Sequence, residues 1–423
     1  MKYHIKNGRV LILENETLNV VEKDLYIADG KIVPAPAAEE LAAYEVIDAK
    51  NKLIMPGLVN MHTHAYMTVM RNYADDVNFD EWLFKRCMPV EDRLPQEGAY
   101  WSSLLAIEEM IRTGTTCFND MHMFKGQSAK AARDAGMRGI IGRGLVGGDL
   151  MTDGRVRFQQ MLDEQAENDS ELLTFVIAPH AIYSCSVKLL EQLNEEAKMR
   201  GMKKHIHLSE SVNEVENCLK EHGKTPVELL YDIGFLDEDT LLAHCVQMRG
   251  NDIELIRKSG ASVVTNPASN AKLGNGFAPI KEFLDAGVNV CLGTDGTASN
   301  NTLNMFREMG LLTLIHKGVS RSSVSVPAQE ALKMATVNAG RFLGQDIGVI
   351  REGARADLIF SDLTAPSMFP NNNVLSSLCY SANGSEVESV MIDGRFVMKK
   401  NELLTIDSER VRFEVQKIVD QYL

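Results

Sequence analysis

Apolar positions follow two rhythms along this chain, one at its ends and another in its middle. Over residues 9–33, RVLILENETLNVVEKDLYIADGKIV alternates short β-rich runs with turn pairs such as Asp29-Gly30. Period-two alternation broken by such pairs is the pattern of hairpins. ARADLIFSDL and VESVMIDGRFVMKKNE, near the other end, read the same way, with turns at Asp393-Gly394 and Lys400-Asn401. Neither end holds enough strands for a stable sheet of its own. Together they predict one small β-sandwich domain built from residues 1–55 and 345–423, the second part closing with a helix.

Between them the pattern becomes apolar strand, polar loop and amphipathic helix, repeated. Eight strand candidates fall at 53–62, 115–120, 137–146, 173–180, 203–208, 240–246, 261–266 and 288–294. Helical periodicity fills the gaps, for example at 97–112, 187–200, 249–259 and 302–316. Eight alternating units over roughly 250 residues predict an α/β fold, a (β/α)8 barrel occupying residues 56–344. A doubly wound open sheet would need a Gly-rich phosphate fingerprint after an early strand. The only candidate, the GNG at 274–276, follows the seventh strand and opens no βαβ unit.

Composition narrows the function class. The 423 residues carry 44 Lys+Arg against 58 Asp+Glu, a formal charge of −14. That balance argues against a general nucleic-acid binder, whose phosphate contacts need positive partners. With 45% hydrophobic residues the chain can bury a large core. No apolar run approaches the ~18 residues of a membrane span, and MKYHIKNGRV has no signal core. Seven scattered cysteines without a CxxC pair read as reduced thiols. The expectation is a soluble, cytoplasmic protein with no membrane partner.

Barrel chemistry sits at the C-terminal ends of strands. Five predicted ends carry six candidates: His62 and His64, His180, His207, His244, and Asp295. His62 and His64 are two apart, so on a strand both rings face the barrel mouth. With His207 and Asp295 they form an N3O set suited to zinc or iron, leaving one position for water. Glu210, three residues past His207, is placed to carry a proton without being a ligand. Asp295 and His244 would flank the water. LLTFVIAPH holds no lysine that could bridge two metals, so one metal is expected. His205 reads as packed interior, and His4, His122, His222 and His316 as solvent-facing or locally bonded. The acidic pair in EEM at 108–110 reads as a solvated helix face.

PGLVNMHTH, HLSE, LAHCV, NPASNAKLGNGFAPI and LGTDGTASNNTLNMFREM, in this order, resemble the amidohydrolase superfamily. Within it they resemble the branch of 5′-methylthioadenosine/S-adenosylhomocysteine deaminases and related chlorohydrolases. The resemblance runs from about residue 53 to the C-terminus and includes the split β-domain. It implies a metal-dependent hydrolase with His62, His64, His207 and Asp295 holding one divalent ion per subunit, Zn2+ before Fe2+ or Mn2+. It implies Glu210 as proton shuttle and His244 as partner of the catalytic water. It also implies Glu91 on the ribose hydroxyls, Arg143 and Arg155 on a homocysteine carboxylate, and His180 on the purine. Phe79, Trp82 and Phe84 in segment 65–98 either cover the substrate or only pack that segment on the barrel. The implied activity is hydrolytic deamination of 5′-methylthioadenosine and S-adenosylhomocysteine, by a homo-oligomer acting on a small nucleoside. The alternatives are a deaminase of guanine or another amino-heterocycle, a triazine-type chlorohydrolase on the same metal site, and a scaffold that has lost its metal.

Overall fold

A computed structural model describes all residues, Met1–Leu423. Eight parallel strands pair in chain order: β1 (Leu58–Thr63), β2 (Thr115–His122), β3 (Arg138–Leu145), β4 (Leu173–Pro179), β5 (Lys204–Leu208), β6 (Thr240–His244), β7 (Ser262–Thr265) and β8 (Val290–Leu292). The N–H groups of Thr294 and Asp295 both donate to the carbonyl of His62, at 3.1 and 2.9 Å, which ties the end of β8 to β1. The helices lie outside, and Val59, Met61, Ile140, Val176, Leu241 and Val264 contribute to a fully buried cluster among the strands. No helix is long and apolar enough to cross a membrane.

The ends of the chain form two sheets. Lys2–Lys6, Leu25–Ala28, Lys31–Val33 and Glu45–Asp48 make the smaller one. The larger joins Arg9–Glu14, Thr17–Glu22 and Lys52–Pro56 to Leu358–Asp362, Val387–Ile392, Arg395–Lys399 and Glu402–Leu403. Ile5, Ile27, Ile54, Leu358 and Met391 belong to one shared core. Asp29-Gly30, Asp393-Gly394 and Lys400-Asn401 all have two consecutive positive φ angles, the hairpin turn that suits right-twisted strands.

Three local expectations are corrected. The single apolar run 53–62 is two strands: Lys52–Pro56 belongs to the β-sheet and only Leu58–Thr63 to the barrel. The break is Gly57, where an added Cβ would lie 2.0 Å from the Thr116 hydroxyl. Glu108 and Glu109 are not a solvated face. Glu108 is buried and accepts from Arg112 and Arg412, both at 3.0 Å. Glu109 accepts from Thr302 and the Leu303 N–H at 2.7 and 2.8 Å, and from Arg71, tying together the loops after β1 and β8. His122 lies at a strand end after all, because β2 runs two residues beyond the expected stop; it is fully buried beside Glu164, with Nε2 3.2 Å from the carboxylate.

At the opposite, N-terminal rim, Arg138 at the start of β3 forks onto Asp357 at 2.6 and 3.1 Å. Both are buried, and Asp357 also accepts the N–H of Asp393 at 2.7 Å. Removing one member of such a pair leaves an uncompensated buried charge, a loss of about 3–5 kcal/mol. Arg138→Ala is therefore expected to lower the unfolding free energy by about that amount in denaturant titration, with kcat of the folded fraction intact. A loss below ~1 kcal/mol would mean the junction is held by apolar packing instead.

Candidate active site

The C-terminal rim gathers the strand-end residues into one centre. His64 Nδ1 lies 2.6 Å from the carbonyl of Met121, and His207 Nδ1 lies 2.7 Å from that of His180. A ring nitrogen facing a carbonyl must carry the proton, so both Nε2 atoms are bare lone pairs. Those two Nε2 atoms are 3.3 Å apart. Asp295 Oδ1 lies 3.3 Å from His64 Nε2 and 3.5 Å from His62 Nε2, and the latter is buried with no hydrogen-bond partner. Lone pairs and a carboxylate oxygen converging in this way repel one another unless a cation lies among them. The donor atoms of His62, His64 and His207 lie within 4.8 Å of one another, as do those of His62, His244 and Asp295. Burial lowers His62 to about 4 and puts His207 well below the ordinary histidine range, so both rings are neutral, the form that ligates.

Surrounding groups aim this centre. Asp295 Oδ2 accepts the hydroxyls of Ser269 and Ser299 at 2.6 and 2.8 Å, which turns Oδ1 toward the histidines. His205 is more than packing: its Nε2 lies 3.1 Å from His62 Nδ1 and fixes that ring. His244 Nδ1 lies 2.8 Å from the Asn270 side-chain oxygen, so Nδ1 is the protonated nitrogen and Nε2 is free to accept. Ser209, His244 and Asp295 all have positive φ, a strained backbone of about 1–3 kcal/mol each in residues other than glycine. Such strain is common where a side chain must be aimed at chemistry.

Glu210 stands across from the centre. Its Oε2 lies 3.8 Å from His244 Nε2, and Oε1 accepts the Asn275 amide at 3.0 Å. Burial, and secondarily the charge of Asp295, push its carboxyl up to about 8. Its backbone is pinned by Glu214, whose two oxygens accept the N–H groups of Ser209 and Glu210 at 2.9 and 2.8 Å.

A cavity of about 570 Å³ opens over these groups. His64, His180, His207, Glu210, His244 and Asp295 form its floor. Phe79, Trp82, Leu83, Phe84, Met88 and Glu91 line it from the segment after β1, and Met123, Val146, Arg157 and Tyr183 also border it. The indole of Trp82 donates to the carbonyl of Ala298 at 3.0 Å, anchoring that wall to the loop after β8.

The sequence profile of the amidohydrolase family matches residues 53–397. The chain belongs to the amidohydrolase family. It is 42% identical to the 5-methylthioadenosine/S-adenosylhomocysteine deaminase of Caldanaerobacter subterraneus, over 99% of this chain and 98% of that protein. It is 40% identical to the 5′-deoxyadenosine deaminase of Methanosarcina mazei, over 99% and 97%. The crystal structure of an adenosine deaminase from Xanthomonas campestris with bound zinc superposes with a TM-score of 0.93 at 31% identity, covering 99% of this chain and 98% of that one. Amidohydrolases are metal-dependent, and the three-histidine, one-aspartate set of this member fits a metal ion.

In this amidohydrolase, the residues singled out from sequence for substrate contact divide into two groups. Glu91 and His180 border the cavity. The Tyr66 hydroxyl donates to Glu91 at 2.5 Å, and burial raises the carboxyl against that bond. Burial, with the Arg157 charge among the smaller causes, holds His180 to about 3, and its Nδ1 lies 3.0 Å from Ser184 Oγ. The two arginines do not reach the cavity. Arg143 is buried behind it, donating to the carbonyl of Met123 at 3.0 Å and to Gln160 at 2.6 Å. Arg155 is exposed at the first position of the helix Arg155–Glu167. Two residues on, Arg157 points inward and lines the cavity, with Nη1 3.1 Å from the carbonyl of Gly144. Arg157, Tyr66, Ser269, Asn270, Asn275 and Glu214 were not singled out from sequence; the polar cluster in NPASNAKLGNG was the available signal for three of them.

Proposed function

We propose that the protein hydrolytically deaminates adenine nucleosides, above all 5′-methylthioadenosine to 5′-methylthioinosine and S-adenosylhomocysteine to S-inosylhomocysteine, releasing ammonia. The observation that carries this is Glu210: a fully buried carboxyl, pushed up to about 8 by burial, faces the same cavity as the N3O centre. A proton donor opposite a water-activating centre suits attack on an amidine carbon. Full-length relatives named as deaminases of such nucleosides support the reading.

His62, His64, His207 and Asp295 would hold one divalent ion, zinc before iron or manganese. When bound it would lower the pKa of water enough to supply the nucleophile at neutral pH. Glu210 gives its proton to N1 of the adenine ring, which makes C6 electrophilic. His244 Nε2 and Asp295 hold the water against C6, and Asp295 receives a proton as the C–O bond forms. Return of a proton to the exocyclic nitrogen breaks the C–N bond and releases ammonia. His180 contacts the purine, Glu91 takes the ribose hydroxyls, and the apolar wall of Phe79, Trp82 and Met88 covers the base or thioether.

Arg157 is the cation for a carboxylate-bearing tail. Its charge, after burial, lowers neighbouring Arg143 to about 10, with Glu164 the opposing partner. The Arg157 guanidinium at the wall of the cavity, with the second guanidinium of Arg143 buried behind it, favours an anion there. Arg157→Ala is expected to reduce kcat/KM for S-adenosylhomocysteine roughly 10- to 100-fold, the loss of one charge-assisted contact, while 5′-methylthioadenosine changes less than threefold or so. Equal losses on both substrates would remove Arg157 from the tail site. Ammonia release with the ultraviolet shift from adenine to hypoxanthine tests the reaction itself; an unchanged chromophore overturns it.

A further inference from the structure

The GNG at 274–276 opens no βαβ unit, and the mechanism above leaves it without a task. Gly274 and Gly276 both have positive φ, at +70° and +103°, so the chain doubles back on each side of Asn275. The Asn275 N–H donates to the carbonyl of Asn270 at 3.0 Å, and the Gln247 amide donates to the carbonyl of Asn275. The side chain thus held is 7% exposed, lies outside the cavity lining, and donates from Nδ2 to Glu210 Oε1 at 3.0 Å.

An amide NH2 only donates. Glu210 Oε1 must therefore act as acceptor whether the carboxyl is ionised or neutral, and a proton on that oxygen would face another proton. Oε2, the oxygen 3.8 Å from His244 Nε2, is the one left to carry the acid proton. We infer that Asn275 is a positioning residue for the proton shuttle: by occupying Oε1 it confines the mobile proton of Glu210 to Oε2, the oxygen that meets the substrate. A carboxyl free to rotate would spend part of its time protonated on the far oxygen, where it cannot serve the ring nitrogen. The GNG turn then has a catalytic purpose, since the flanking glycines take the positive φ angles that bring Asn275 against the loops after β5 and β6.

This inference rests on Glu210 as the acid of the proposed deamination. Asn275→Ala and the equally shaped Asn275→Asp, which replaces the donor by an acceptor, are compared with wild type and with Glu210→Gln on 5′-methylthioadenosine. Both Asn275 variants should retain bound metal and thermal midpoint. Their kcat should fall roughly 10- to 100-fold, as when a buried polar group is left without its hydrogen-bond partner, with KM within about twofold. The solvent deuterium isotope effect on kcat should rise, because proton delivery becomes the slow step; a purely structural role would not move it. Unchanged kcat and isotope effect in the variants, or a change confined to KM, overturn the role of Asn275 while leaving Glu210 as the acid. Full activity of Glu210→Gln would instead overturn the reading on which the inference rests.

Discussion

Stripping divalent metal from the purified protein with a strong chelator is expected to abolish turnover, and adding Zn2+ back to restore it. The expectation follows from the centre itself. Two imidazole lone pairs 3.3 Å apart, with Asp295 Oδ1 at 3.3 Å from one of them, have no proton to share. Their Nδ1 protons are committed to the carbonyls of Met121 and His180. A ligand that binds the folded state alone stabilises it, by about 4 kcal/mol at a thousand times its Kd. Chelation should therefore also lower the thermal midpoint, an independent readout of the same site. His207→Ala should give the same loss and resist rescue by added metal. Activity that survives exhaustive chelation would remove the metal from the account and leave a metal-free hydrolase.

Glu210→Gln should be nearly as damaging for a different reason. The amide keeps the shape and the contact region but has no acid proton, so kcat should drop by roughly 10²- to 10⁴-fold with metal content unchanged. The wild-type pH profile carries a related signature. In the proposed reaction Glu210 acts in its protonated form, and burial pushes its carboxyl up to about 8, so kcat/KM should fall as pH rises through that region. A bound cation favours the carboxylate and draws this alkaline limb toward lower pH. The limb should be absent from whatever activity Glu210→Gln retains. A variant with near-wild-type kcat would assign the proton to another group.

How much of this was legible in the sequence depended on periodicity. His62 and His64 were readable because a two-residue step on a strand puts both on one side. Glu210, His244 and Asp295 followed from strand ends that apolar runs mark clearly. The break at Gly57 was not readable, because LIMPGLVNMH is apolar on both sides and the close approach of Gly57 to the Thr116 side chain exists only in the fold. Arg155 and Arg157 could not be told apart without the helix register. The helix starts at Arg155, and its inward face runs through Arg157, Gln160 and Glu164, positions three and four apart. His122 was missed by two residues of strand. Ser269, Asn270 and Asn275 act at a distance in sequence from Asp295, His244 and Glu210, and no local pattern announces such contacts.

The substrate class is the centre of the proposed function. One measurement bears on it directly: kcat/KM of the metal-loaded protein for S-adenosylhomocysteine, 5′-methylthioadenosine, adenosine, free adenine, guanine and a chlorotriazine, each followed by ammonia or chloride release. Glu91 and Arg157 in the same cavity as the centre favour the ribose- and tail-bearing nucleosides over bare bases. The first two compounds should lead, with inosine-type products and stoichiometric ammonia. Preference for guanine, or chloride release from the triazine with no turnover of nucleosides, would contradict it.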